Sequence, residues 1–304
     1  MADETKRSEV WTQLSKSFSG AIEDVQGSIV AIHGGGGSTS SGVVWRQGIV
    51  ITTYNGLRHR EGIKIDYGRE LLVASLIGGD PATDLAVMRI PSESLRPVKS
   101  TNDGIFTGEV VLSVGRSRLG DIAASAGIIA RTGDGWRTWR GGQIDRLIRP
   151  DIQLYVGQSG SALVNEQRQV LGINTRALAR QAVITIPTQT IDRVIDAILE
   201  HGHVPRPFLG IAMQAVPIPD PARSLFPAEA ERALLVMHVE PNSPAALAGV
   251  MVGDLIVSAN RDPIDNVREF LHWLSGLRIG DTISLFVIRG GVEVDLTVSV
   301  ADRS

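Results

Sequence analysis

The apolar pattern changes period early in the chain. Residues 9–24 place Val10, Leu14, Phe18 and Ile22 four apart, which predicts an amphipathic helix. From Ser28 onward short β-rich runs take over. They are Ser28–Ile32, Gly42–Trp45, Ile49–Thr53, Ile63–Tyr67, Leu71–Leu76 and Leu85–Arg89, then Glu109–Val114, Ile122–Ala130, Ala162–Val164, Val170–Asn174 and Val183–Ile186. Turn-forming residues separate them, and many short runs of this kind predict a sandwich or barrel rather than alternating βα units. Residues 190–201 return to helical spacing, with Ile191, Val194, Ile195, Ile198 and Leu199 on one face and Gly202 at the expected stop.

A stiff segment, His203-Val204-Pro205-Arg206-Pro207, follows. It divides the chain into an N-terminal helical segment (1–27), a β-barrel domain (28–203) and a small C-terminal domain (204–304). The last of these carries predicted strands at Leu209–Ala215, Ala233–Val239, Leu255–Ala259, Thr282–Arg289 and Glu293–Val300. Its predicted helices are Pro244–Ala248 and Val267–Ser275. A length of 304 residues agrees with about two domains.

Composition narrows the chemistry. The chain has no cysteine, which excludes disulfides, thiolate catalysis and cysteine zinc sites but leaves the compartment open. No pair of histidines forms a metal site, and no cofactor is expected. The formal charge of −3 offers no basic field for nucleic acid. No stretch of about 20 apolar residues predicts a membrane span. Met1–Lys16 is polar and lacks the apolar core of a secretory leader, so the chain as written reads as cytoplasmic, or periplasmic if a leader has been trimmed.

The strongest local signal is Gly157-Gln158-Ser159-Gly160-Ser161-Ala162-Leu163-Val164-Asn165. Small neighbours around a serine let the backbone aim two N–H groups at one spot, where they stabilise an oxyanion as the serine attacks a carbonyl. Thr83-Asp84-Leu85-Ala86-Val87 precedes it and Gly172-Ile173-Asn174-Thr175 follows. In this order the motifs resemble the HtrA (Deg) group of trypsin-like serine proteases, a mainly β fold with a chymotrypsin-like double β-barrel followed by a PDZ domain. The resemblance implies that Ser159 is the nucleophile, Asp84 the orienting acid, and the N–H groups of Gly157 and Ser159 the oxyanion hole. Residues 172–175 would form a wall of the primary specificity pocket. Homotrimers are common in that family, and a homotrimer is what it implies here.

The resemblance breaks at the base. The family carries a segment like TNxHVV, and the matching stretch is Thr52-Thr53-Tyr54-Asn55-Gly56-Leu57, with Asn55 where histidine belongs. A carboxamide can hydrogen-bond but cannot take the serine proton at physiological pH. His59, one helical turn on, is the alternative imidazole; otherwise it is an exposed polar residue in an arginine-flanked loop. Gln158, Ser161-Ala162 and Arg116-Ser117 also depart from the family's pattern. The chain therefore reads as a degenerate protease, a pseudoprotease that binds polypeptide as scaffold, holdase or regulator. A working endopeptidase of protein quality control and a structural subunit stand as the alternatives.

In the C-terminal domain, Arg206-Pro207-Phe208-Leu209-Gly210-Ile211 resembles the carboxylate-binding loop of HtrA-type PDZ domains. Ser243-Pro244-Ala245-Ala246-Leu247-Ala248-Gly249-Val250 and Gly253-Asp254-Leu255-Ile256 carry the rest of the signature. Phe208, Leu209, Gly210 and Ile211 would thus hold the C-terminus of a peptide added as a strand. Val267, Phe270 and Leu271 either line the apolar pocket or pack the core. Two further segments carry less. Gly34–Gly37 reads as a hairpin loop, since no helix start follows it. Arg131–Arg149, rich in arginine with Trp136 and Trp139, reads as a partner contact or a solvated loop.

Overall fold

The computed structural model describes residues 2–34, 38–68, 71–91, 95–218, 223, 225–226 and 231–303, with side chains from residue 9 on. Gly35–Gly37 of the glycine run lie outside the described residues. The chain divides into two units, Met1–Val204 and Pro205–Ser304.

The first unit opens on helix α1 (Ala2–Val25). Only its C-terminal turns pack: Ala21 and Val25 are buried, with Phe18 and Ile22 against them, whereas Val10 and Leu14 are exposed. The predicted apolar stripe therefore covers more helix than the protein buries.

The first sheet contains β1 (Ile29–His33), β2 (Thr39–Arg46), β3 (Ile49–Thr53), β4 (Lys64–Asp66), β5 (Leu71–Val73), β6 (Ser75–Asp80) and β7 (Leu85–Arg89). Their order is β5-β4-β1-β2-β3-β7-β6. The run predicted as one strand from Leu71 is split at Ala74. Its first half pairs with β4 and its second with β7, so one bent strand closes the barrel. The second barrel is closed by pairing, in the order β12-β15-β14-β13-β8-β9. Its strands are β8 (Val110–Arg116), β9 (Ile122–Gly133), β12 (Leu147–Asp151), β13 (Ala162–Val164), β14 (Val170–Thr175) and β15 (Ile184–Pro187). A small ribbon, β10 (Trp136–Arg137) with β11 (Gln143–Ile144), rises between β9 and β12.

Why the strands read as unbroken apolar runs is visible in the two faces of each. Val30, Val44, Val50, Ala86 and Met88 fill the first barrel, while their neighbours Ile29, Val43, Ile51, Leu85 and Val87 point the other way. That second set meets Leu112, Val114, Ala162, Val164 and Ile173 of the second barrel in a common seam. Val111, Ile129, Leu163 and Leu171 fill the second barrel's interior. Each fully buried Ile or Leu contributes about 1.5–3 kcal/mol. Helix α2 (Thr188–His201) closes the seam with Ile191, Val194, Ile195 and Ile198, leaving Leu199 exposed. Gly202 caps it in the left-handed region, φ 80°, where its N–H reaches Ile198 O.

Arg116 ties the barrels together. Buried at the end of β8, it donates to Ile29 O of the first barrel at 2.7 Å, to Tyr67 O at 2.9 Å and to Gly120 O at 2.5 Å. Burial pulls its guanidinium below the ordinary value, and Asp66 and Asp121 oppose that shift.

The second unit is a sheet of order β17-β18-β19-β21-β22. It comprises β17 (Ile211–Pro217), β18 (Arg232–Val239), β19 (Leu255–Ala259), β21 (Thr282–Arg289) and β22 (Val292–Ser299), with helices α3 (Pro244–Leu247) and α4 (Val267–Leu274). Three two-residue strands complete it: β16 (Pro207–Phe208) pairs with β23 (Ala301–Asp302), and β20 (Asp262–Pro263) extends β19. Asn266 and Ser243 cap α4 and α3 with side-chain oxygens. Asp254, almost fully buried, holds Arg289 through two bonds of 2.8 Å.

Candidate functional site

The turn between β6 and β7 presents Asp84 in the left-handed region, φ 60°, a conformation that aspartate tolerates better than most residues. The side chain is fully buried. Thr175 Oγ1, at the end of β14, donates to Oδ2 at 2.5 Å. Asn55, in the turn after β3, donates to Oδ1 twice, from its backbone N–H and from Nδ2, each at 2.8 Å. Burial raises the Asp84 carboxyl above its ordinary value of 3.8. The bonds from Thr175 and Asn55, and the charge of Arg140, work against that rise. Asn55 therefore occupies Oδ1 of the acid, and together with Thr175 it pairs both carboxylate oxygens.

Ser159 lies across the seam in the loop between β12 and β13. Its Oγ is 2.9 Å from Thr53 Oγ1, on the last residue of β3. Among the described residues no histidine bonds to Ser159 or to Asp84. His59 is exposed, and its backbone N–H goes to Gly34 O at 3.1 Å.

The loop is fixed from both barrels. Ser41 N–H donates to Ser159 O at 2.8 Å, and Gly160 N–H donates to Asn174 O at 2.8 Å. Gly160 has φ 84°, and a Cβ there would lie 2.2 Å from Ser41 O, so the close approach requires glycine. Ser41 Oγ donates to Gly157 O at 2.9 Å and accepts from Arg116 N–H at 2.9 Å. Gly157, φ 90°, and Ser159 keep their N–H groups unbonded among the described residues, as an oxyanion hole requires.

The departures from the family pattern are well integrated. Gln158, fully buried, accepts from Tyr155 N–H at 2.9 Å and donates to Ala123 O at 2.9 Å. Ser161 Oγ meets Ser113 Oγ at 2.9 Å and Asn174 Nδ2 at 3.2 Å. Thr53, Ser41 and the bond from Thr175 to Asp84 escape sequence reasoning. Thr53 and Ser159 are 106 residues apart, and no local signal joins them. The β10–β11 loop rests on the acid's turn: Thr138 Oγ1 donates to Ala82 O at 2.7 Å. Trp139 is exposed there with Arg140 over its ring.

In the second unit, β17 is an edge strand, paired with β18 through Ile211 opposite Val239. Helix α4 lies beside β17. Leu209 and Gly210 keep both N–H groups unbonded among the described residues, while their carbonyls accept from Ala245 and Glu240 at 2.9 and 2.8 Å. Gly210 has φ 81°, and a Cβ there would lie 2.1 Å from Ser243 Cβ. The side chain of Leu209 is core, and Phe208 carries Arg303 over its ring. Of the α4 residues, Phe270 is fully buried and belongs to the core, Val267 is half-buried, and Leu271 is 53 % exposed. Among the described residues no group of His, Asp and Glu is arranged to hold a metal. Among the described residues no helix is long and apolar enough to cross a membrane.

A trypsin-like peptidase domain model matches residues 40–173 and a PDZ domain model matches residues 207–300. The chain is 32 % identical over 238 residues to a probable periplasmic serine endoprotease, DegP-like, of Pseudomonas putida strain F1, covering 76 % of this chain and 49 % of that one. It is 30 % identical over 275 residues to serine endoprotease DegS of Salmonella typhimurium, covering 86 % and 76 %. The chain spans about half the length of several of the curated relatives it matches. Among solved structures, the HtrA-type protease AlgW with decapeptide superposes with a TM-score of 0.71 at 25 % identity, over 94 % of this chain and 99 % of that one. A serine endoprotease from Yersinia pestis gives 0.72 at 26 % identity, over 93 % and 97 %.

Proposed function

Because this chain belongs to the HtrA-type family of trypsin-like serine endoproteases with a PDZ domain, we propose that it captures polypeptide without turning it over efficiently. One observation carries the reading: the carboxamide of Asn55 fills the acid's donor position, and the nucleophile's hydroxyl is partnered by another hydroxyl, Thr53. Neither group takes a proton near neutral pH. Serine attack needs a base of pKa about 6–7, and loss of the triad base costs on the order of 10⁶ in kcat. The open N–H groups of Gly157 and Ser159, and those of Leu209 and Gly210, support retained binding of a carbonyl oxygen and of a terminal carboxylate. The relatives' names favour a second reading, an active serine endopeptidase.

A fluorophosphonate probe separates the two. Under the capture reading, Ser159 stays unlabelled over hours at neutral pH while the folded chain binds unfolded casein. Rapid labelling, abolished by Ser159→Ala, would make the chain a cutter.

A further inference from the structure

Four arginines gather on one side of the second barrel, three of them without a hydrogen bond or ion pair among the described residues. Arg131 and Arg149 stand directly opposite each other in the β9–β12 ladder, both exposed. Like charges in directly opposed positions destabilise a sheet. Arg149 also lines an open groove of about 500 Å³ together with Arg176, Arg180 and a single acid, Asp151. Arg176 uses one nitrogen to donate to Leu154 O at 2.8 Å. Arg131, Arg149 and Arg180 make no hydrogen bond or ion pair among the described residues. In a chain of net charge −3, this is a local field of the opposite sign.

The groove leads to the nucleophile loop. It shares Asp151, Ile152 and Arg176 with a second groove of about 640 Å³, which runs on to Gln153 and Tyr155, just before Gly157. At its other side Arg176 follows Thr175, the residue that bonds Asp84. A chain lying along β14 and over Ser159 would thus pass the arginines within a few residues.

We infer that this groove receives acidic side chains of a captured polypeptide and so gives the cleft a preference for Asp- and Glu-rich segments. The inference rests on the capture reading and names its ligand class. A bound carboxylate relieves the Arg131–Arg149 repulsion and forms paired bonds with a guanidinium fork. Nucleic acid fits less well. The groove lining offers Pro150, Ile152 and Val183 rather than an aromatic stacking surface, and Asp151 opposes a continuous phosphate backbone.

The test uses the full chain and two labelled decapeptides of identical length, both amidated at the C-terminus so that the PDZ carboxylate loop is not engaged. One carries four glutamates, and the other carries glutamine at those positions. Fluorescence anisotropy should show the acidic peptide binding at least ten-fold more tightly at low salt, with the gap closing as salt rises. The double variant R149Q/R180Q should lose that gap while melting no lower than the parent chain. R131T should melt slightly higher than the parent without peptide and weaken acidic-peptide binding. Equal binding of the two peptides would sink the acidic preference and leave capture standing. Binding of neither by a folded chain would sink capture in the barrel cleft and the acidic preference with it, leaving only the PDZ loop as a capture site. Tighter binding of a single-stranded oligonucleotide than of the acidic peptide would overturn the ligand class.

Discussion

The two halves of the barrel cleft differ in how their polar groups are used. On the acid side every oxygen of Asp84 is engaged, by Thr175 and twice by Asn55. On the oxyanion side the N–H groups of Gly157 and Ser159 reach no acceptor among the described residues, although the carbonyls around them are held by Ser41. Two open donors on a rigid loop offer an acceptor oxygen bonds that need no rearrangement. The contrast teaches that one side of the cleft has its polar groups paired internally, while the other leaves two N–H groups open to a ligand, as the capture reading requires.

The comparison breaks most sharply at position 55. Asn55→His restores an imidazole beside Asp84, and cleavage of casein should rise by roughly 10³-fold or more. No gain in a folded variant would mean that the oxyanion side is not competent either. The next effect is on the gripping half. Ser41→Ala leaves the Gly157 carbonyl and the Arg116 N–H without their shared partner, which should cost about 1–3 kcal/mol in chemical unfolding. An unchanged midpoint would show that water replaces the hydroxyl. The smallest effect probes the scaffold half by pH. The Asp84 carboxyl is raised, so the folded state holds its proton more tightly than the unfolded chain does. That advantage is present in acid and fades as pH rises through the folded value. Asp84→Asn lacks this slope, so its melting temperature relative to the parent should climb as pH increases through that window. A flat or falling difference would contradict the burial-driven shift.

Much of this was legible before any coordinates. The strands at Ile49–Thr53, Leu85–Arg89, Ala162–Val164, Leu255–Ala259 and Thr282–Arg289 follow their apolar runs residue for residue. Burial on both faces makes the first three of these runs continuous and easy to see. The Leu147–Asp151 strand was not legible, because Arg149, Pro150 and Asp151 hide it, and Pro150 coincides with a register shift. In the site, Asn55 and Asp84 meet as their motifs suggest. Thr53 and Ser41 were invisible because a hydroxyl's partner is chosen by the fold, not by its neighbours in sequence. Phe270 shows the converse: helical spacing marks a residue as inward-facing without saying whether pocket or core lies inside.

Arg116 carries a consequence for how the cleft behaves. Its three hydrogen-bond partners are neutral carbonyls drawn from both barrels, and Asp66 and Asp121 act on it without forming an ion pair among the described residues, so the bonds of the clasp give dissolved salt little to compete with. Ionic strength can therefore loosen what the cleft attracts without loosening the walls. The frame around Ser159 should keep its dimensions in brine that strips an acidic guest away.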